Sequence, residues 1–217
     1  MLLRAPGVYR AQSDTELLAR VLDDERLAAG RTVLDVCTGS GALALAAARA
    51  GAAEVTAVDL SLRSVATAWL NGRVHRAPVA VRRGDLFAPV AERRFGLVVA
   101  NPPYVPAATA RLPRHTRARC WDAGLDGRVL IDRICAGAAG VLAEDGELVM
   151  VHSGLCGTEA TLAAMAAGGL EPRIVAKAET PFGPVLRARV DMLLARGLIV
   201  PGQDVEELVV VAGRRAC

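Results

Sequence analysis

The chain has 217 residues, with 26 Lys or Arg against 23 Asp or Glu, a formal net charge of +3, 53% hydrophobic residues and 3% aromatic residues. A length of this order predicts a single domain that buries about 70% of its surface, so disulfide or metal staples are unnecessary, and the high hydrophobic share excludes intrinsic disorder. Mean hydropathy is +0.32, but the richest apolar run, Ala42 to Ala48, stops at Arg49 and is too short to span a bilayer.

Met1 to Gly7 contains no apolar core of signal-peptide length, so a soluble, cytoplasmic protein without membrane partners is expected. Every basic residue except Lys177 is arginine, which with the abundant Ala and Gly reads as coding bias rather than a nucleic-acid surface. Cys37, Cys120, Cys135, Cys156 and Cys217 are widely spaced, as are His75, His115 and His152, and no metal site is expected.

In chain order, Ser13-Asp14-Thr15-Glu16 has capping-box spacing and opens a helix with Leu17, Leu18, Val21 and Leu22 on one face. Thr32–Cys37 reads as the first strand, followed by Thr38-Gly39-Ser40-Gly41 and a helix to about Ala50. Glu54–Asp59 is the second strand, and Ser61 caps the helix carrying Val65 and Trp69. Val79–Arg82 and Phe95–Ala100 are the third and fourth. An arginine-rich segment then runs to Arg128, longer than ordinary connections. Ile131, Ile134, Cys135, Ala138, Val141 and Leu142 follow helical spacing, and Glu147–Val151 is the fifth strand. Thr158–Ala167 is a helix, Arg173–Ala178 the sixth strand, Pro184 to Arg196 a short helix and Glu207–Ala212 the seventh strand. Strands alternating with helices predict a Rossmann-like, doubly wound, mostly parallel α/β sheet. Residues 1–30 form an N-terminal segment and helix, 31–152 the core, and 153–217 the remainder with a helical insertion at 184–196.

Three features fall on one edge of such a sheet. Gly39 and Gly41 let the backbone approach a ligand outside the strand ends. The third glycine of a dinucleotide fingerprint is replaced by Ala44, which argues against a pyrophosphate. Asp59, 18 residues after Gly41, stands where a carboxylate accepts both ribose hydroxyls. S-adenosylmethionine carries no phosphate and is held with fewer glycines and more acidic acceptors. Asp35, Asp59 and Asp85 supply them, with Leu86 and Phe87 packing on the adenine. The same residues also read as a tight turn, a helix cap and a turn former.

Asn101-Pro102-Pro103-Tyr104 ends the fourth strand. The Asn101 side-chain oxygen and the Pro102 carbonyl are acceptors on stiff backbone, suited to gripping a planar NH₂ and aiming its nitrogen at an electrophilic methyl. Tyr104 offers a flat wall. The arginine-rich loop (Arg111, Arg114, His115, Arg117 and Arg119) reads either as steering an acidic protein face or RNA, or as a solvated loop. Arg187, Arg189 and Arg196 read as surface, His152 as a satisfied structural histidine and Trp121 as a packing anchor.

These residues resemble class I S-adenosylmethionine-dependent methyltransferases, and within them the HemK-type glutamine N5-methyltransferases. The resemblance runs from Val8–Thr15 through Asp35–Gly41, Asp59, Asp85 and Asn101–Tyr104 to Trp121–Arg128. It implies strand order 3-2-1-4-5-7-6 with strand seven antiparallel. It also implies that Asp35, Gly39 and Gly41 contact the methionine end, Asp59 the ribose and Asp85 the adenine, with Thr38, Leu60, Leu86 and Asn101 as further cofactor contacts. Asn101, Pro102 and Tyr104 would hold the target amide, with S-adenosylhomocysteine as product. The acceptor it implies is a protein glutamine, first the Gly-Gly-Gln motif of a peptide-chain release factor. The alternative acceptor is the exocyclic amino group of adenine or guanine in RNA or DNA. About a dozen residues precede the first helix, as in the shorter eukaryotic and archaeal branch. That branch brings in a small zinc-binding activator protein as a candidate partner.

Overall fold

The computed structural model describes residues 2–113 and 117–216. Its strands are β1 (Thr32–Val36), β2 (Glu54–Asp59), β3 (Val79–Arg83), β4 (Phe95–Ala100), β5 (Leu142–Ser153), β6 (Leu170–Pro181) and β7 (Val205–Arg215). They form one sheet in the order β3-β2-β1-β4-β5-β7-β6. Neighbours from β3 to β5 are parallel, and β7 runs antiparallel to both β5 and β6. The order and the reversed seventh strand agree with the expectation.

The helices are α1 (Ser13–Asp24), α2 (Ala42–Arg49), α3 (Leu62–Val74), α4 (Val129–Ala138), α5 (Thr158–Ala167), α6 (Pro184–Arg187) and α7 (Val190–Ala195). Strand side chains alternate between faces, so each central strand feeds two cores. Leu34, Val98, Leu148, Met150 and Val211 pack with Ile131, Ile134 and Met165 of α4 and α5. Val33, Leu97, Val99, Val149 and Val210 pack with Leu18, Leu22, Leu43 and Ala47 of α1 and α2. A sheet covered on both faces needs continuous apolar runs, which is why Phe95–Ala100 and Leu148–Val151 lack polar alternation. Among the described residues no helix is long and apolar enough to cross a membrane.

Four local expectations are corrected. Ser13 is not the cap of α1: Gln12 is, without a side-chain cap bond, and Ser13 Oγ lies 3.3 Å from Thr180 Oγ1. The capping-box reading fails because Asp14 and Thr15 turn inward and make their own bonds. Val141 and Leu142 do not extend α4. The helix ends at Ala138, and Leu142 already pairs with Phe95 before a register shift delivers Glu147 opposite Leu97. Buried apolar residues at three- and four-residue spacing cannot by themselves distinguish a helix end from a strand start. β6 runs 12 residues, past Pro172 and up to Pro181. It is an edge strand, where a missing N–H leaves no ladder bond unmade. The helix expected from Pro184 to Arg196 is broken in two around Ala188 and Arg189.

The sheet's topology positions the site. Strand order reverses between β1 and β4, and such a switch point opens a crevice at the carboxyl ends of the strands. The parallel register pairs Val36 with both Val58 and Ala100, so Cys37, Asp59 and Asn101 leave the sheet in one row. Asp59 pairs with Arg83, which puts Gly84 and Asp85 just beyond the same row.

Candidate active site

The first wall of the crevice is the loop after β1. Cys37, Gly39 and Gly41 all have positive φ (61°, 55° and 84°). A Cβ on Gly41 would stand 3.2 Å from both Cα and Cβ of Ala68, so α3 packs where only glycine fits. Asp35 is fully buried beneath this loop. Its Oδ2 accepts from Thr38 Oγ1 at 2.5 Å and from Ala44 N, in the first turn of α2, at 2.9 Å. Its Oδ1 has no partner. Burial pushes the Asp35 carboxyl up to about 7, against the two hydrogen bonds that favour its charged form. Asp59 braces the loop from the other side. Its Oδ2 accepts from Gly39 N at 3.0 Å and its Oδ1 from Ser61 N at 2.7 Å, and burial again raises its carboxyl.

These loops border a cavity of about 1330 Å³, larger than the space one drug-sized ligand fills and sufficient for two reactants. Of the residues singled out from sequence, Thr38, Gly39, Asp59, Leu60, Asp85, Leu86, Asn101, Pro102 and Tyr104 line it, whereas Asp35 and Gly41 lie behind the wall. Asp35 therefore shapes the loop from within. Asp85, expected to accept from an adenine amino group, accepts from Arg133 at 2.8 Å, both side chains being about half exposed. Leu60 is exposed and Leu86 buried at the same end. Phe87 is not on the lining: it packs against Gly137 of α4 and the core beneath. Buried His152 donates from Nδ1 to Ser153 O at 2.8 Å and stays off the cavity, and its ring is held below its ordinary pKa by burial. Arg111, Arg117 and Arg119 of the basic loop line the cavity, as does Trp121. Arg114 and His115 lie outside the described residues.

At the far end stands a network that the sequence reading missed. Tyr9 Oη and Tyr104 Oη both donate to Asp14 Oδ2, at 2.7 and 3.0 Å. Asp14 Oδ1 accepts from Thr15 N at 2.6 Å and Thr15 Oγ1 at 3.2 Å. Asn101 Nδ2 in turn donates to Thr15 Oγ1 at 3.0 Å. Burial and the nearby Asp14 push both phenols well above the usual tyrosine range, so they stay protonated donors. Tyr9, Asp14 and Thr15 all line the cavity. Their signal was present in the Val8–Thr15 segment, but Asp14 and Thr15 were absorbed into a helix-capping pattern.

The loop after Tyr104 is held from behind. Cys156 Sγ donates to Tyr104 O at 3.0 Å. Val105 and Ala123 join across a short ladder, Val105 N to Trp121 O and Ala123 N to Val105 O. Arg189 and Arg196 are clamps on this loop rather than free surface charges. Arg189 donates to Pro106 O at 2.7 Å and pairs with Asp122 at 2.7 Å; Arg196 donates to Ala107 O and Leu125 O at 2.8 and 3.0 Å. Their role was invisible in sequence because carbonyls on a distant loop leave no residue-type signature.

Chemically, one end of the cavity offers carboxylates and backbone around a glycine loop, and the other a rigid amide carbonyl beside an aromatic wall. An adenosine with a cationic amino-acid tail fits the first end. Asp59 lies on the cavity wall with its two carboxylate oxygens accepting from Gly39 N and Ser61 N, and the unpartnered Asp35 Oδ1 lies behind the loop.

The chain is similar to several known proteins. The chain is 44% identical over 124 residues to the ribosomal protein uL3 glutamine methyltransferase of Bradyrhizobium diazoefficiens, covering 54% of this chain and 39% of that one. It is 28% identical to a putative protein N5-glutamine methyltransferase of Methanocaldococcus jannaschii, over 82% of this chain and 88% of that one. Against the uL3 and release factor glutamine methyltransferases it matches, the chain spans 39–57% of the relative's length. The fold is shared with E. cuniculi Mtq2, solved in complex with Trm112 and described as methylating a translation termination factor. That structure aligns with a TM-score of 0.65 at 21% identity, over 97% of this chain and 99% of that one. The family model for the methyltransferase small domain matches residues 1–115, more than half of the sequence, and the chain belongs to that family.

Proposed function

We propose that this chain transfers the methyl group of S-adenosylmethionine to the side-chain amide nitrogen of a protein glutamine. The observation that carries the reading is Asn101: its NH₂ is engaged by Thr15, which leaves Oδ1 as the acceptor on the cavity wall. S-adenosylmethionine supplies an electrophilic methyl on sulfonium and leaves as S-adenosylhomocysteine. Asp59, Gly39 and Thr38 hold its nucleoside and tail, with Leu60 and Leu86 against the base; Asp35 keeps the loop in shape. Asn101 Oδ1 and the Pro102 carbonyl each accept one hydrogen of the acceptor NH₂, while Tyr104 flanks its plane.

An amide nitrogen is a poor nucleophile because its lone pair is delocalised. Two fixed acceptors favour positive charge developing on that nitrogen and orient it for in-line attack, and they cost no reorganisation when they do so. The proton leaves after transfer, so no strong base is required. The relatives' names make uL3 and a release factor the two acceptors to compare first. A small zinc-binding activator is the partner to add, since the E. cuniculi methyltransferase of the same fold was solved together with a second protein, Trm112.

The test is transfer from methyl-labelled donor in the presence of recombinant release factor, uL3 and total RNA, with the label located by mass spectrometry. Label on a glutamine amide supports the reading, and label in RNA overturns it in favour of a nucleobase acceptor. Asn101→Ala should reduce kcat by about 10²–10³-fold, the cost of removing one preorganised acceptor, while donor affinity is kept.

A further inference from the structure

An asparagine amide is nearly symmetric in shape, so only its partners decide which end faces a ligand. The contact of Asn101 is a hydroxyl, Thr15 Oγ1, which alone would accept from NH₂ or donate to the carbonyl. That choice is removed one bond further on. Thr15 Oγ1 stands 3.2 Å from Asp14 Oδ1, a carboxylate oxygen that accepts its proton. The oxygen of Thr15 is left to accept, and Asn101 must offer Nδ2. Asp14 cannot rotate to release the arrangement, because Oδ2 is held by Tyr9 and Tyr104 and the residue is buried.

We infer that Thr15 is a positioning residue: Asp14 fixes the direction of its hydroxyl, and that hydroxyl locks the Asn101 amide with Oδ1 turned to the cavity. The inference rests on the proposed function only for what Oδ1 then grips. The orientation itself can be read without donor or acceptor.

The chain contains two asparagines, Asn71 and Asn101. Asn71 donates to Leu3 O and Ser40 O, each at 2.9 Å, and serves as an internal control for the fold. Labelling asparagine with ¹⁵N gives two side-chain NH₂ pairs. In the unmutated protein, an Overhauser contact is expected from an Asn101 Nδ2 proton to the Thr15 side chain. Thr15→Val keeps the shape but removes the lone pairs. It should speed solvent exchange of the Asn101 pair about tenfold, the worth of one neutral hydrogen bond, and leave Asn71 unchanged. Thr15→Ser should restore it. With recombinant release factor as acceptor, Thr15→Val should lower kcat about tenfold at unchanged donor KM, and Ser should rescue.

No Overhauser contact in the unmutated protein, or unchanged Asn101 exchange in a folded Thr15→Val, overturns the inference. Unchanged kcat in a variant whose amide has been released overturns the positioning role. Should Thr15→Val fail to fold, the contact in the unmutated protein decides. Should the release factor not be methylated at all, the proposed function fails while the amide reading is still scored by exchange.

Discussion

Gly127 tests whether the acceptor end depends on the exact placement of the Tyr104 backbone. Its φ is +78°, and a Cβ there would overlap the Tyr104 carbonyl oxygen and stand 2.9 Å from Cys156 Sγ. An alanine at Gly127 costs about 1–2 kcal/mol for the left-handed backbone. Relief of the overlap costs about a further 1–3 kcal/mol, as for an overpacked core. The Tyr104 carbonyl cannot yield freely, since Cys156 is buried and donates to it. Gly127→Ala should therefore lose about 2–5 kcal/mol in urea unfolding. Restoring contact distance moves the Tyr104 backbone by about 1 Å, a misplacement expected to cost about a hundredfold in kcat. Donor affinity, measured by calorimetry with S-adenosylhomocysteine, should be unchanged, because the contacts of Gly127 are all on the acceptor side. A folded Gly127→Ala with full kcat would show that the position of Tyr104 is irrelevant to transfer, and the acceptor pocket described above would have to be abandoned.

Two further perturbations address the surroundings. Glu206 is buried on β7 with Oε2 unpartnered, and burial raises its carboxyl to about 6 from 4.5, opposed by a Ser153 hydrogen bond and assisted by Asp14. A raised carboxyl binds more protons folded than unfolded, so it withdraws stability as pH rises from about 4.5 through 6. Glu206→Gln should thus stabilise the protein by about 2 kcal/mol more at pH 7.5 than at pH 4; equal shifts in urea midpoint at both pH values would refute this. Arg189→Ala leaves Asp122, whose side chain is only 12% exposed, without its guanidinium. The amides of Val105, Ala107 and Ala123 should then exchange about thirtyfold faster, the equivalent of one charged hydrogen bond, with core strands unaffected. Unchanged exchange there would mean the loop does not need the clamp.

The alternation of β-branched runs with Ala- and Leu-rich helices was enough to place the seven strands, because a parallel sheet covered on both faces imposes that pattern on any sequence forming it. The motif residues at strand ends were likewise legible: Gly39, Asp59 and Asn101 each follow an apolar run closely, and parallel register carries them to one edge. Less readable were residues whose meaning depends on a partner far away in the chain. Asp14 and Thr15 look like helix-start residues until Tyr104 and Asn101, 90 and 86 positions later, are brought against them. Asp35 looks like a ligand contact until burial places it behind the loop, and nothing in the residue type of Asp85 announces its ion pair with Arg133.

Local patterns are dictated by the backbone's own periodicities and by which neighbours must be dry, and these are written along the chain. Hydrogen-bond partnership across the crevice is dictated by which strand ends the sheet order makes adjacent, and by how much room is left for each polar group to choose among partners. Only the folded chain removes that choice. The composition and motifs thus determined a methyltransferase-like sheet with its cleft at the β1–β4 switch. The tertiary arrangement alone decided that a carboxylate on the first helix orients the amide at the end of the fourth strand.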